Sequence, residues 1–194
     1  MASDADTESD VLRPWRRRQL ALEFATRMAR ECEGDWADDV RKGDGNEHGS
    51  IEGRGKALLK KFLKENKVKG APVFVVEGAG KGGLSYQLLG TDGFPDAAVL
   101  SPFRCAIEFD RQSTKGWSQF KDALLKAAAH SMSGAYDATL FVYTLKRKEA
   151  WSGNYLEDYG EGRPPPDVAV APTQTLLSRL TELGVVWAFV PPAE

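Results

Sequence analysis

The sequence predicts an α/β fold, with a mixed central β-sheet flanked by helices. Three observations carry that expectation. Apolar residues recur at helical spacing over residues 15–34, 55–70, 117–130 and 175–184. Short apolar runs bounded by Gly or Pro, such as VFVVE and CAIEF, read instead as strands. From residue 55 onward the order is helix, three or four strands, helix, strand, helix, strand, which suits helices laid on a mixed sheet.

The elements follow in chain order. MASDADTESD is acidic and poor in apolar side chains, so residues 1–12 are expected to be a disordered acidic tail. After Pro14, the residues Trp15, Leu20, Phe24 and Met28 recur near helical spacing, and Gly34 ends the run. RKGDGNEHGS, residues 41–50, reads as a loop. Residues 13–50 are therefore expected to be an N-terminal helical segment and loop ahead of an α/β domain spanning 51–194. Within the junction, GSIEGR has the look of a protease-site linker, the alternative to a native connection. A helix follows with Leu58, Leu59, Phe62 and Leu63 on one face, closed by Gly70 at a lysine-rich end where cations suit the helix dipole. From Pro72 the period changes, and VFVVE, LSYQLLG, DAAVL and CAIEF succeed one another as strands. WSQFKDALLKAAAH returns to a helix, with Trp117, Phe120, Leu124 and Ala128 on one side, before the strand ATLFVYTLK. Residues 151–167 form a long aperiodic loop, of a length often tied to function or mobility. TLLSRLTELG and VVWAFV give a last helix and a last strand.

Bulk properties narrow the function classes. With 194 residues, 42% hydrophobic and 28% charged, the chain suits one domain with a real core and a soluble surface. The net charge of -2 gives no general attraction to nucleic acid, so only a local basic patch would supply one. Cys32 and Cys105 are too few and too far apart for a disulfide framework or a thiolate zinc site. No run approaches a membrane span, and no apolar signal region opens the chain, so a reducing cytoplasm is the expected setting.

The chemistry-bearing stretch is Gly90 to Trp117. Glu108 and Asp110 alternate with Ile107 and Phe109 on a predicted strand, so the two acids share one face and the two apolar side chains the other. If the turn after Leu100 holds an odd number of residues, Asp96 comes to the acid face as well. Three carboxylates on one face repel unless a cation intervenes, and such hard oxygen ligands suit Mg²⁺. The plainer alternative has Asp96 ending a Phe-Pro-Asp turn and the other two acids facing water.

Pro95-Asp96, eleven residues, then Glu108-Phe109-Asp110 resembles the PD-(D/E)xK nuclease superfamily, which includes many type II restriction endonucleases. That family's core has a helix, three antiparallel strands, a helix and a fourth strand, and residues 55–146 follow this order. The resemblance implies a restriction-endonuclease-like core and a Mg²⁺-dependent endonuclease acting on double-stranded DNA. It assigns Asp96, Glu108 and the carbonyl of Phe109 to the metal. The family's lysine position is occupied by Asp110, a departure, since an aspartate cannot donate a hydrogen bond and serves only as ligand or base. Some restriction enzymes with an acid there use a further upstream glutamate, a role Glu77 can fill. The same departure leaves open an inactive module that binds nucleic acid or a protein partner.

Arg111, Lys115 and Lys121 follow the acids and open the next helix, which in the family borders the DNA backbone. A second basic cluster, with Arg54, Lys56, Lys60, Lys61 and Lys64, reads equally as phosphate-binding or as a solvated helix face. EGAGKGGLS fails the P-loop pattern, with Val75 at the first glycine position and Gly82 in place of Ser or Thr. His48 and His130 have no second ligand at metal spacing and read as structural. Enzymes that cut both strands usually pair two sites about a two-fold axis. The stripe Trp15, Leu20, Phe24 and Met28 is therefore a candidate homodimer contact, weighed against packing on its own domain.

Overall fold

The computed structural model describes residues 12–42, 47–76, 86–88, 91–111, 117–144 and 178–190. Helix α1, Pro14–Glu33, begins with a proline at its first turn, where the missing N–H costs no hydrogen bond. Its buried stripe is Leu20, Ala21, Phe24, Ala25, Met28, Ala29 and Cys32, a continuous helical face. Helix α2, Ala37–Lys42, has Asp38 and Asp39 in its first turn and Arg41 and Lys42 in its last, matching the helix dipole at both ends. Helix α3 spans Glu47–Glu65.

Helix α3 starts earlier than the sequence predicts. The expected loop through residue 50 is helical from Glu47, and the linker-like GSIEGR lies inside the helix with Ile51 only 3% exposed. Glycines disfavour a helix by about 1 kcal/mol each relative to alanine. Here Gly55 has a packing role that offsets this, because a Cβ at that position would come within 2.5 Å of the Phe74 ring. The missing side chain lets α3 lie close on the sheet.

That sheet has five strands: β1 Val73–Val76, β4 Ala97–Ser101, β5 Cys105–Arg111, β6 Ala138–Thr144 and β7 Val185–Val190, side by side in that order. β4 is antiparallel to both β1 and β5, whereas β5, β6 and β7 run parallel to one another. A small hairpin of β2, Tyr86–Leu88, and β3, Thr91–Gly93, is inserted between β1 and β4. Parallel strands need a crossover connection, and helix α4, Trp117–Met132, supplies it between β5 and β6. Residues 178–182 are helical and lead into β7. All seven residues of β6 are buried, as suits a strand covered on both faces. The α/β class with a mixed sheet between helices is thus observed.

The two faces have separate cores. Cys105 and Ile107 of β5 join Val99, Leu140 and Val142 against α1, α2 and α3, where Phe24, Phe62 and Phe103 meet ring to ring at 5.6 to 6.0 Å. On the other face, Phe141 and Tyr143 pack with Leu124, Ala127 and Leu180, and Ala98 and Ala106 with Tyr136. Burial pushes the thiols of Cys32 and Cys105 up to about 12, so both are inert at neutral pH.

Helix α1 belongs to the first of these cores. Leu20, Phe24 and Met28 are fully buried within the chain, which corrects the expectation that their stripe is a dimer contact; only Trp15, 64% exposed, remains outside. Each such side chain contributes about 1.5–3 kcal/mol by leaving water, so the helix has stronger reason to cover its own sheet than a partner. The expected acidic tail lies outside the described residues except for Leu12, and the long loop 151–167 lies wholly outside them.

Candidate functional site

Between β4 and β5 the turn is Pro102–Arg104, an odd number of residues. The ladder pairs Ala97 with Ile107, Ala98 with Ala106 and Val99 with Cys105. Extending that register by one residue sets Asp96 opposite Glu108, and cross-strand partners share a face. The Phe109 backbone N–H donates to Asp96 Oδ2 at 2.7 Å, fixing the aspartate at the start of β4.

Glu108 sits between β4 and β6 and is only 3% exposed. A buried carboxylate needs a partner. The partner comes from α4: His130 Nε2 lies 2.5 Å from Glu108 Oε1, with the imidazole fully buried. Helix α4 reaches this depth because Leu124, Ala127 and His130 follow at intervals of three along its inner face, and Ala127 is small. The Tyr136 ring meets the imidazole edge-on at 5.6 Å, and Ser133 Oγ donates to the His130 carbonyl at 2.7 Å. Burial lowers the His130 pKa to about 4, Asp96 opposes that shift and Lys126 adds to it. At neutral pH the ring is therefore uncharged and carries one N–H.

Asp110 shares the face but not the pair. It lies two residues beyond Glu108 along β5, about 6.6 Å at the usual rise of a strand. Its partner across the parallel ladder is Tyr143. Burial raises the Asp110 pKa, its bond from the Arg111 N–H at 2.6 Å lowers it, Lys126 also lowers it and Asp122 raises it. The Tyr143 phenol is pushed up to about 12 by burial and by Asp110. Among the described residues, no group of three or more His, Cys, Asp or Glu is placed to hold a metal ion. The expected convergence of Asp96, Glu108 and Asp110 on one ion is therefore not seen as a three-residue group among the described residues.

The remaining predicted residues fall as follows. Phe109 packs against the opposite core, with its backbone at the acid face through the bond to Asp96. Arg111 is turned away from the acids, since its guanidinium donates to the Arg41 carbonyl at 2.6 Å and ties β5 to α2. That bond engages the guanidinium within the chain, and strand alternation puts position 111 on the α2 side. Glu77 and Lys115 lie outside the described residues, as does the side chain of Lys121 on α4. The α3 lysines form a solvent face on the far side of the sheet from the carboxylates. Lys56 pairs there with Glu52, and Arg54 with Asp39 at 2.8 Å.

His130 is the residue that sequence reasoning passed over. The signal available was its spacing, three residues after Ala127 on the inner face of a helix that must cover a strand bearing an acid. Comparison with known proteins adds no name, for no family model, curated protein or solved structure matches the chain.

Proposed function

We propose that the chain is a metal-dependent endodeoxyribonuclease of restriction type, hydrolysing phosphodiester bonds in double-stranded DNA. The observation that carries this reading is Asp96 standing opposite Glu108 on one face of the sheet. The succession α3, β1, β4, β5, α4, β6 supports it, being the order of elements in the PD-(D/E)xK core with one hairpin inserted.

The donor set fits a hard divalent cation. Mg²⁺ is commonly held by one or two carboxylates and completed by waters and a substrate phosphate. Asp96 and Glu108 are the residues that would hold it, with the Phe109 carbonyl between Glu108 and Asp110 as a further oxygen. When bound, such an ion polarises a phosphoryl oxygen and lowers the pKa of a coordinated water. The chain's own residues do the positioning. The Phe109 N–H fixes Asp96, and Asp110 places an acceptor where the family has a donor. Glu77 remains the proposed upstream acid. Lys115 and Lys121 remain the proposed phosphate contacts at the entry to α4. A two-fold dimer would supply the second site for cutting both strands.

Supercoiled plasmid incubated with the protein in Mg²⁺ or in EDTA tests the reading. Nicked and linear products are expected only with Mg²⁺, and Asp96→Asn should remove them. Intact plasmid in Mg²⁺ overturns it. The Asp110 departure favours one second reading, an inactive module on the same fold, for which the plasmid would be shifted in a gel but left uncut.

A further inference from the structure

The buried contact between α4 and β5 carries an inference about how the acid pair is held. A carboxylate standing opposite another across adjacent strands has every reason to rotate or take up a proton, because two like charges oppose each other there. Glu108 is engaged by a side chain that is itself enclosed. His130 is fully buried, stands 2.5 Å from Oε1, and has the Tyr136 ring edge-on against its imidazole, while the Ser133 hydroxyl bonds its backbone carbonyl. Asp96 is held in the same manner by one oxygen, through the Phe109 N–H. An ionised carboxylate accepts about four bonds over two oxygens, so a fixed bond at one oxygen sets the plane of the group.

We propose that His130 is the positioning residue of this site, donating one Nε2–H bond that fixes the Glu108 carboxylate so that Glu108 and Asp96 present oxygens to the same divalent cation. The inference rests on the nuclease reading above and deepens it. His130 touches neither substrate nor metal in this scheme; it acts through Glu108, as the partners of metal-binding carboxylates generally do.

Two substitutions separate positioning from mere core filling. In His130→Gln the side-chain amide nitrogen reaches the place of Nε2, whereas in His130→Asn it reaches only the place of Nδ1 and falls short of Glu108. Both are polar and smaller than histidine, so a purely structural role would treat them alike. Affinity for Mn²⁺ is measured on the full-length chain by the disappearance of the free-ion electron paramagnetic signal, with thermal melts run in parallel. Wild type and His130→Gln should bind with affinities within about threefold, while His130→Asn weakens binding roughly 10–100-fold. Equal affinity in the Asn variant and wild type overturns the proposal, as does a His130→Gln protein that is folded yet as weak as Asp96→Asn. A wild-type protein that binds no Mn²⁺ overturns the metal-dependent reading itself, and the clamp with it. That outcome is distinct, because it is seen before any variant is compared.

Discussion

The two faces of β5 put opposite demands on the same seven residues. Toward α1, α2 and α3 the strand presents Cys105, Ile107 and Phe109 to a core of aliphatic and aromatic side chains. Toward α4 it presents Ala106, Glu108 and Asp110, two of them acids, in a layer where Phe141, Tyr143 and Leu124 are also buried. The first face is held mainly by apolar area, with the Arg111 bond to the Arg41 carbonyl at its end. The second combines apolar packing with a buried polar contact between Glu108 and His130. A face built from area degrades by degrees, while a buried carboxylate is sensitive to the loss of a polar partner.

The largest effect should come from removing the cover of the apolar face. A chain beginning at Gly53 lacks α1 and α2, exposing the surface against which Leu20, Phe24 and Met28 pack. It is expected to lose cooperative unfolding by calorimetry altogether. A truncated chain that melts cooperatively near the full-length temperature would refute the dependence of the sheet on the core it shares with α1 and α2.

Next comes the polar face. His130→Leu leaves Glu108 buried without its imidazole and should cost about 1–3 kcal/mol in urea unfolding. The double change Glu108→Leu with His130→Leu should recover most of that, within about 1 kcal/mol of wild type. Additive losses in the double-mutant cycle would mean that the two side chains do not act as a pair.

The same pair sets a pH dependence. The imidazole titrates near 6.5 when exposed and is lowered to about 4 by burial in the fold. Between those values the unfolded chain binds a proton that the folded chain refuses. Stability is therefore complete above pH 6.5 and is lost as pH falls toward 4, by about 3 kcal/mol in all. Asp110, raised by burial, works in the opposite sense by keeping its proton to higher pH in the folded state. The groups around the ring are Glu108, Asp96 and Lys126, so His130→Gln is the control that isolates the imidazole. A wild-type urea midpoint unchanged from pH 7 to 4.5 relative to that variant would contradict the assignment.

Asp110→Lys should have the smallest effect on the fold, since the position is half-buried and a lysine can extend its ammonium to water. A change of about 1 kcal/mol or less is expected in unfolding. In the plasmid assay, cleavage should be kept or increased, because a lysine donates to negative charge where an aspartate cannot. Loss of cleavage with stability intact would give Asp110 a role of its own.

Much of this was legible in CAIEFDR alone. Strand alternation fixed Ile107 and Phe109 against Glu108 and Asp110, and it also meant that Arg111 would leave the acid face, a consequence that the family resemblance obscured. Helical periodicity located α1, the core-facing part of α3 and α4, because a repeat of 3.6 residues is a local property of the chain. The early start of α3 was hidden by Gly49, Gly53 and Gly55, whose cost as helix residues is local, while the benefit at Gly55, close approach to Phe74, is not. Asp96 depended on one integer, the three residues of the Pro102–Arg104 turn, which sequence patterning leaves undecided between odd and even. His130 depended on more. It meets Glu108 across 22 residues of chain, and only the docking of α4 on the sheet places its ring against that carboxylate. Periodicity states which side of a helix faces inward, but which acid waits there is decided when the helix and the strand pack.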